Sequence, residues 1–369
     1  MIFGNLARLF VFLLLFSIAG CASRSVERAA DEVHTIAFGS CLRQWQPQPV
    51  WAGVSSIEPD VFLFLGDNVY TDTGKYRRKP EPERIGQAYR DLGSTPEFRD
   101  FRDRLQQSET TIHAIWDDHD YGKNDAGAEY PYRLESKAFF LKFFGLEETA
   151  TGGSDEPGIY RSEFADFNGV RVQFLLLDTR SFRSPLSSAE ITAACPRVNH
   201  DQNTDPDATL LGETQWQWLE TELLKPADLR ILATSIQFLP TEHCWEKWVN
   251  FPLERERLYD LLVNTRANGV IVVSGDRHLA EISMLAAERI GYPLYEITSS
   301  GLNSAMGRNS QGRLEQNSLR DMKKNVLVNN FGSIQVTRHG KDIELRLQIR
   351  GESGEILQEK VISLDSLRS

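Results

Sequence analysis

The 369-residue chain carries 41 Lys+Arg against 52 Asp+Glu, a formal net charge of −11, with 41% hydrophobic and 25% charged residues. That is ordinary globular usage, which excludes a disordered or fibrous chain, and the length suits one large α/β domain or two modest ones. The acidic balance excludes a general nucleic-acid binder, which must neutralise phosphates, but not an enzyme that meets phosphate through bound cations.

The N-terminus reads as a leader. After Arg8 the uncharged run Leu9–Ala19 is too short to span a bilayer and has the size of a signal-peptide core. Ile18-Ala19-Gly20-Cys21 resembles a bacterial lipobox, which makes residues 1–20 a cleaved signal, Cys21 the lipidated first residue and 21–33 a polar tether. The expected protein is an exported lipoprotein, anchored at a membrane of the cell envelope. Three thiols then remain, Cys41, Cys195 and Cys244, with no CxxC pair. In an oxidising compartment an odd count leaves one thiol outside any intrachain disulfide.

Beyond the tether, apolar runs rich in Val, Ile, Leu and Phe predict strands at Thr35–Phe38, Val61–Leu65, Thr111–Trp116, Val170–Leu177, Ile231–Thr234 and Val270–Val273. Helical patterns at Glu83–Leu92, Glu97–Gln107, Leu134–Phe144, Glu213–Leu224 and Leu253–Asn268 lie between them, with Asn268-Gly269 as a stop signal. Further strands are predicted at Leu294–Ile297, Ser333–Thr337, Ile343–Ile349 and Ile356–Ile362. The alternation means α/β, and the strand-rich end makes the sheet mixed. No linker interrupts residues 34–369, so they are expected to form a single domain. Two long polar loops, Ser184–Leu211 and Ser299–Asn330, are of the kind that carries function.

Polar clusters follow five of the strands: Gly39-Ser40-Cys41; Gly66-Asp67-Asn68-Val69-Tyr70-Thr71-Asp72; Asp117-Asp118-His119-Asp120-Tyr121-Gly122 with Asn124 and Asp125; Ser235-Ile236-Gln237; and Ser274-Gly275-Asp276-Arg277-His278. Ligands of open α/β sheets gather at the carboxyl ends of strands. Alone, each cluster reads as a turn or a solvated loop. Four of the five carry metal-ligand side chains, which together favour closely spaced cations.

The ordered set GSC, GDNVY, WDDHDYGKND and SGDRH resembles the PhoD-like, or alkaline phosphatase D, branch of the metallophosphatase superfamily, from about Ile36 to Leu302. The superfamily's usual DxH, GDxxD, GNH(D/E) and GHxH are altered here: Cys41 replaces the first motif, Tyr70 ends the second, Asp118 stands for Asn and Asp276 for His. The resemblance implies a four-layer α/β/β/α sandwich with mixed sheets and two or more metal ions, ferric iron with calcium ahead of zinc or manganese. It implies Cys41, Asp67, Tyr70, Asp118, Asn124, Asp276 and His278 as metal ligands, with Asp67 bridging. His119 would act as general acid, with Asp120 orienting it.

Arg180, just past a strand, has two readings: a planar clamp for phosphate, or a salt bridge to Asp178 or another nearby acid. The basic run Lys75, Arg77, Arg78 and Lys79 either draws in anions or is a solvated face. Trp245, Trp248 and Phe251 either line the mouth of the site or serve as packing. With Cys21 assigned to lipid and Cys41 to metal, Cys195 and Cys244 are left to form a disulfide between two loops on the strand-end face.

The implied activity is hydrolysis of phosphate esters, mono- or diesters, by metal-bound hydroxide in a monomeric enzyme. Its alternatives are a phospholipase-like diesterase acting on membrane lipids and a non-catalytic surface protein that retains the fold.

Overall fold

The computed structural model describes residues 32–147, 156–193, 195, 198–307, 315–322 and 324–369. The leader, Cys21 and most of the expected tether lie outside them. Glu32–Ser369 forms one compact unit. Its first strands are β1 (Val33–Gly39), β2 (Val61–Leu65), β3 (Thr111–Ile115), β4 (Arg161–Phe167) and β5 (Val170–Leu176). A two-residue hairpin pair, β6 (Ser187–Ser188) and β7 (His200–Asp201), lies in the first long loop. Then come β8 (Leu229–Ala233), β9 (Val270–Ser274), β10 (Ala280–Leu285), β11 (Leu294–Ser299), β12 (Asn330–His339), β13 (Asp342–Gly351) and β14 (Ile356–Ser363).

Two six-stranded mixed sheets result. One runs β14-β13-β12-β1-β2-β3 and the other β10-β11-β9-β8-β5-β4. Each has a parallel block: β1-β2-β3 at one edge of the first, continued by antiparallel β12, β13 and β14, and β11-β9-β8-β5 in the second, with antiparallel β10 and β4 at its edges. The central strands β2 and β9 read as apolar runs because both faces are covered, and β8 and β11 are likewise buried throughout.

Helices cover the sheets. Trp51 of α1 (Val50–Ser56) packs on Phe62 and Phe64 of β2 and stacks on Phe101 of α3 (Pro96–Gln107), centroids 4.2 Å apart. The α2 (Glu83–Ser94) and α5 (Arg133–Phe144) helices join this layer, Tyr89 meeting Phe143. On the second sheet lies α6 (Glu213–Leu223), where the Glu222 carbonyl accepts from Gln173 of β5, and α7 (Pro252–Asn264) follows it in the chain. These layers make the expected metallophosphatase-like sandwich.

Two strands escape the hydrophobic pattern for opposite reasons. The edge strand β4 is half exposed and carries Arg161, Glu163 and Asp166. In β10 a buried acid, Glu281, interrupts the run; Arg320, Gln237 and Asn317 satisfy it. The last helix ends at Asn264, four residues before the expected stop, where Thr265 Oγ1 turns back onto the Leu261 carbonyl. Gly269 instead shapes the entry to β9: its φ is +69°, and a Cβ there would meet the Asp228 carbonyl oxygen at 2.2 Å.

The sheets meet at one end. Ser40, just past β1, bridges in parallel to Ser300, just past β11, and Leu302 N–H donates to the Ser40 carbonyl. This seam lies among the carboxyl ends of the parallel strands.

Candidate metal centre

Four strand-end turns feed the seam. Cys41 follows β1, Asp67 and Tyr70 follow β2, Asp118 and His119 open the short helix α4 (Asp118–Tyr121) after β3, and Asp276 and His278 follow β9. Cys41, Asp67, Asp276 and His278 all have left-handed backbones, with φ of 63°, 51°, 66° and 54°. Non-glycine residues held there cost about 1–3 kcal/mol each, and such strain concentrates at functional sites. Gly66 (φ +95°) lets the Asp67 turn close onto Asp117, whose Cβ a side chain would meet at 2.5 Å.

Asp67 lies at the centre. Its Oδ2 is 3.4 Å from Cys41 Sγ and 2.9 Å from the Tyr70 hydroxyl, which is itself 3.2 Å from His278 Nε2. Its Oδ1 accepts the His119 backbone N–H at 3.4 Å. Two triads of potential ligand atoms therefore share one carboxylate: Cys41, Asp67 and His278, and Asp67, Asp118 and His119, each within 4.8 Å. The Ser304 carbonyl faces His278 Nδ1 and fixes the proton there, which leaves the Nε2 lone pair toward the cluster. Asp276 and Asn124 line the same cleft outside both triads; Asn124 is exposed and donates its backbone N–H to Asp72 at 2.8 Å.

The electrostatics of this group suit cations. Burial, then Asp67, pushes the Cys41 thiol and the Tyr70 phenol well above their usual range. Burial, relieved in part by His119, raises Asp67, and burial likewise raises Asp276 against the pull of Arg277. Burial lowers His278 to about 4, so the imidazole stays neutral as a ligand must. Asp118 Oδ1 is buried with no donor facing it. Such a donor set, anionic once deprotonated and short of positive charge, fits two cations whose charge would reverse these shifts.

His119 is the exception. Burial opposes its charge, but Asp118, Asp67 and Asp72 overcome that and hold the imidazole well above its ordinary pKa. Its Nδ1 is 2.6 Å from Asp72 Oδ1.

Asp72 thus takes the place expected for Asp120. Asp120 points away from the imidazole, and its carboxylate accepts the backbone N–H groups of Asp117 (2.7 Å), Asp67 (3.2 Å) and Asn68 (3.3 Å) and the Asn68 amide (2.6 Å). It supports the metal loop. The phosphate-clamp reading of Arg180 is also corrected. Arg180 is fully buried, with Asp117 on its Nε (2.7 Å) and Nη2 and Glu246 on Nη1 (2.6 Å), so its fork is filled. Its partners are Asp117 and Glu246 rather than the Asp178 carboxylate, which accepts only its backbone N–H.

The cleft over the cluster encloses about 820 Å³. Trp245 lines it, whereas Trp248 and Phe251 are buried packing. Cys195 and Cys244 are bridged, Cα atoms 5.7 Å apart, and both line the cleft. Closing that 49-residue separation stabilises by about 4 kcal/mol in the chain-entropy picture. Of the basic run, Lys75 pairs with Asp91 at 2.9 Å, and Arg77, Arg78 and Lys79 are exposed. Sequence reasoning included Asp72 in its cluster but gave it no role, and it missed Ser300, whose hydroxyl lies 3.0 Å from Cys41 Sγ and accepts the His278 backbone N–H at 2.7 Å. Asp72 was within sight, two residues past the tyrosine of its motif, but only folding shows which side chain it meets.

Comparison with known proteins agrees with this geometry. The family model described as PhoD-like phosphatase matches residues 36–348. Alkaline phosphatase D of Bacillus subtilis (strain 168) is 25% identical over 312 residues, covering 73% of this chain and 49% of that protein. The chain thus spans about half the length of that relative. A solved structure titled "Structure of PhoD" superposes with a TM-score of 0.64 at 18% identity, over 90% of this chain and 69% of its own. GAP50, described as the anchor in the inner membrane complex of Plasmodium, gives 0.53 at 13% identity, over 90% and 89%.

Proposed function

Because this chain belongs to the PhoD-like phosphatase family, we propose that it hydrolyses phosphate esters at a pair of cations sharing Asp67. The observation that carries this reading is the single carboxylate common to both ligand triads. Cys41, Tyr70, Asp276 and His278 would hold one ion; thiolate and phenolate donors suit ferric iron. Asp118, with Asn124 from the cleft wall, would hold the other, and oxygen donors suit calcium. Bound there, the cations would supply an activated water and absorb charge developing on the phosphate oxygens.

The chain's own residues do the rest. Asp72 keeps His119 charged, so that the imidazolium can give a proton to the departing alkoxide oxygen. Ser304 holds the tautomer of His278, and Asp120 holds the Asp67 turn in its left-handed form. The cleft, closed on one side by the Cys195–Cys244 bridge, admits mono- or diesters. The apolar leader and Cys21 in the sequence support an exported, lipid-anchored protein.

Purified protein loaded with iron and calcium, assayed on p-nitrophenyl phosphate beside bis(p-nitrophenyl) phosphate, tests the reading. Turnover that disappears on chelation is expected. No turnover of either ester with any metal would overturn it.

A further inference from the structure

Two arginines line the cleft, and they differ in one respect. Arg277 is engaged: it pairs with Asp276 at 3.4 Å and with Glu315, and lies over the Trp245 ring at 4.9 Å. Arg43 is half-buried, and among the described residues its guanidinium has no carboxylate partner and no hydrogen-bond acceptor. A planar cation with five donors stays unpaired beside an acidic cluster only if something holds it there.

The holding is visible in the backbone. Arg43 N–H donates to Asn303 Oδ1 at 2.8 Å, while Asn303 Nδ2 donates back to the Arg43 carbonyl at 3.0 Å and to that of Pro47 at 3.3 Å. Asn303 is itself buried, so the turn carrying Arg43 is fixed from both sides. The guanidinium carbon lies 5.4 Å from the centroid of the Tyr70 ring, and the His119 imidazole lies 4.3 Å from the same ring. Both groups thus lie near one phenol ring. That phenol's hydroxyl touches Asp67, the carboxylate common to both triads. The charge of Arg43 is also felt at His278, where it helps keep the imidazole neutral.

We propose that Arg43 is the phosphate-binding arginine of this site, its free fork taking the non-bridging oxygens of a phosphoryl group beside Tyr70. This rests on the phosphoesterase reading for the identity of the substrate, but not for the anion. A guanidinium suits the task because its paired N–H donors match two phosphate oxygens at once, which a lysine cannot do. It fills the role that Arg180, closed off by Asp117 and Glu246, cannot perform.

The test is calorimetric binding of inorganic phosphate to the metal-loaded protein, measured beside KM and kcat on p-nitrophenyl phosphate. Arg43→Leu should weaken phosphate binding by about ten- to a hundredfold, the worth of charge-assisted hydrogen bonds. KM should rise in parallel, with bound iron and calcium unchanged. Arg43→Lys should recover part of the loss. Phosphate affinity within about twofold of wild type in Arg43→Leu would overturn the assignment. So would loss of metal in step with phosphate, since Arg43 would then be supporting Tyr70 rather than touching the anion, and so would a wild-type protein that binds no phosphate. Phosphate binding that depends on Arg43 in a protein turning over neither ester would leave the assignment standing and remove the phosphoesterase reading instead.

Discussion

Asp117 and Asp118 are consecutive, both buried, and belong to two opposite kinds of charge cluster. Asp117 joins Glu246, Arg180 and Arg183: two carboxylates against two guanidiniums, with Ser235 donating to Asp117 at 2.7 Å and Arg183 Nε 3.0 Å from Glu246. That cluster is balanced in charge. Asp118 joins Cys41, Asp67 and Tyr70, where two histidines, of which only His119 is held charged, face an excess of acidic groups. Burial and ionisable side chains are common to both clusters. The imbalance of sign is what separates a structural network from a place for cations.

The sharpest way to break the comparison is to remove the shared carboxylate. Asp67→Asn should lower kcat/KM by at least about a thousandfold, since several kcal/mol of charge stabilisation pass through it. Elemental analysis should show metal lost as well. The metal-free thermal midpoint should be no lower than that of wild type, because an uncompensated buried acid has been relieved. A variant that keeps both metals would show that Asp67 does not bridge.

The balanced cluster should respond the other way. Arg180→Met leaves Asp117 buried without its cation and Glu246 with Arg183 alone, and should destabilise by about 3–5 kcal/mol in urea unfolding. If the variant is as stable as wild type but fails to saturate with phosphate, Arg180 is a substrate clamp after all.

Asp72→Asn probes the boundary between the acid excess and the charged His119. With a negative neighbour gone, the raised pKa of His119 falls. The alkaline limb of the pH–rate profile, where a charged general acid is lost, should then move to lower pH. An unmoved limb would take the proton-donor role from His119.

The smallest effect belongs to an ionisable group outside both clusters. Burial, then Arg161, lowers His113 on β3 from 6.5 to about 3. Between those values the unfolded chain binds the proton and the folded one does not, so stability falls as pH drops through this window. His113→Gln should flatten that slope in acid unfolding curves, and an unchanged slope would mean that His113 is not what produces it.

Much of this was legible in the sequence. The continuous apolar runs of β2 and β9 announced buried parallel strands, and the ligand-type residues stood immediately after them. What escaped was direction and long-range pairing. Asp120 is next to His119 in sequence, but successive helical residues turn by about 100°, which carries its carboxylate to the Asp67 backbone. Asp72 reaches the imidazole only because two separate turns fold onto each other. Arg180 looked available until Glu246, 66 residues later, closed its fork. The left-handed turns of Cys41, Asp67, Asp276 and His278 leave no trace in composition, since glycine is the usual signature of that backbone.

The seam between the sheets also sets a schedule. One ligand triad draws Cys41 and Asp67 from the first sheet and His278 from the second, joined by the Ser40–Ser300 bridge. A chain made from its N-terminus presents Cys41 more than 200 residues before His278 emerges. Throughout that interval Cys41 is an unprotected thiol, and Cys195 and Cys244 both appear before its last partner does. Correct pairing of those two must therefore exclude Cys41, and the triad that could hold a cation is complete only once both sheets have come together.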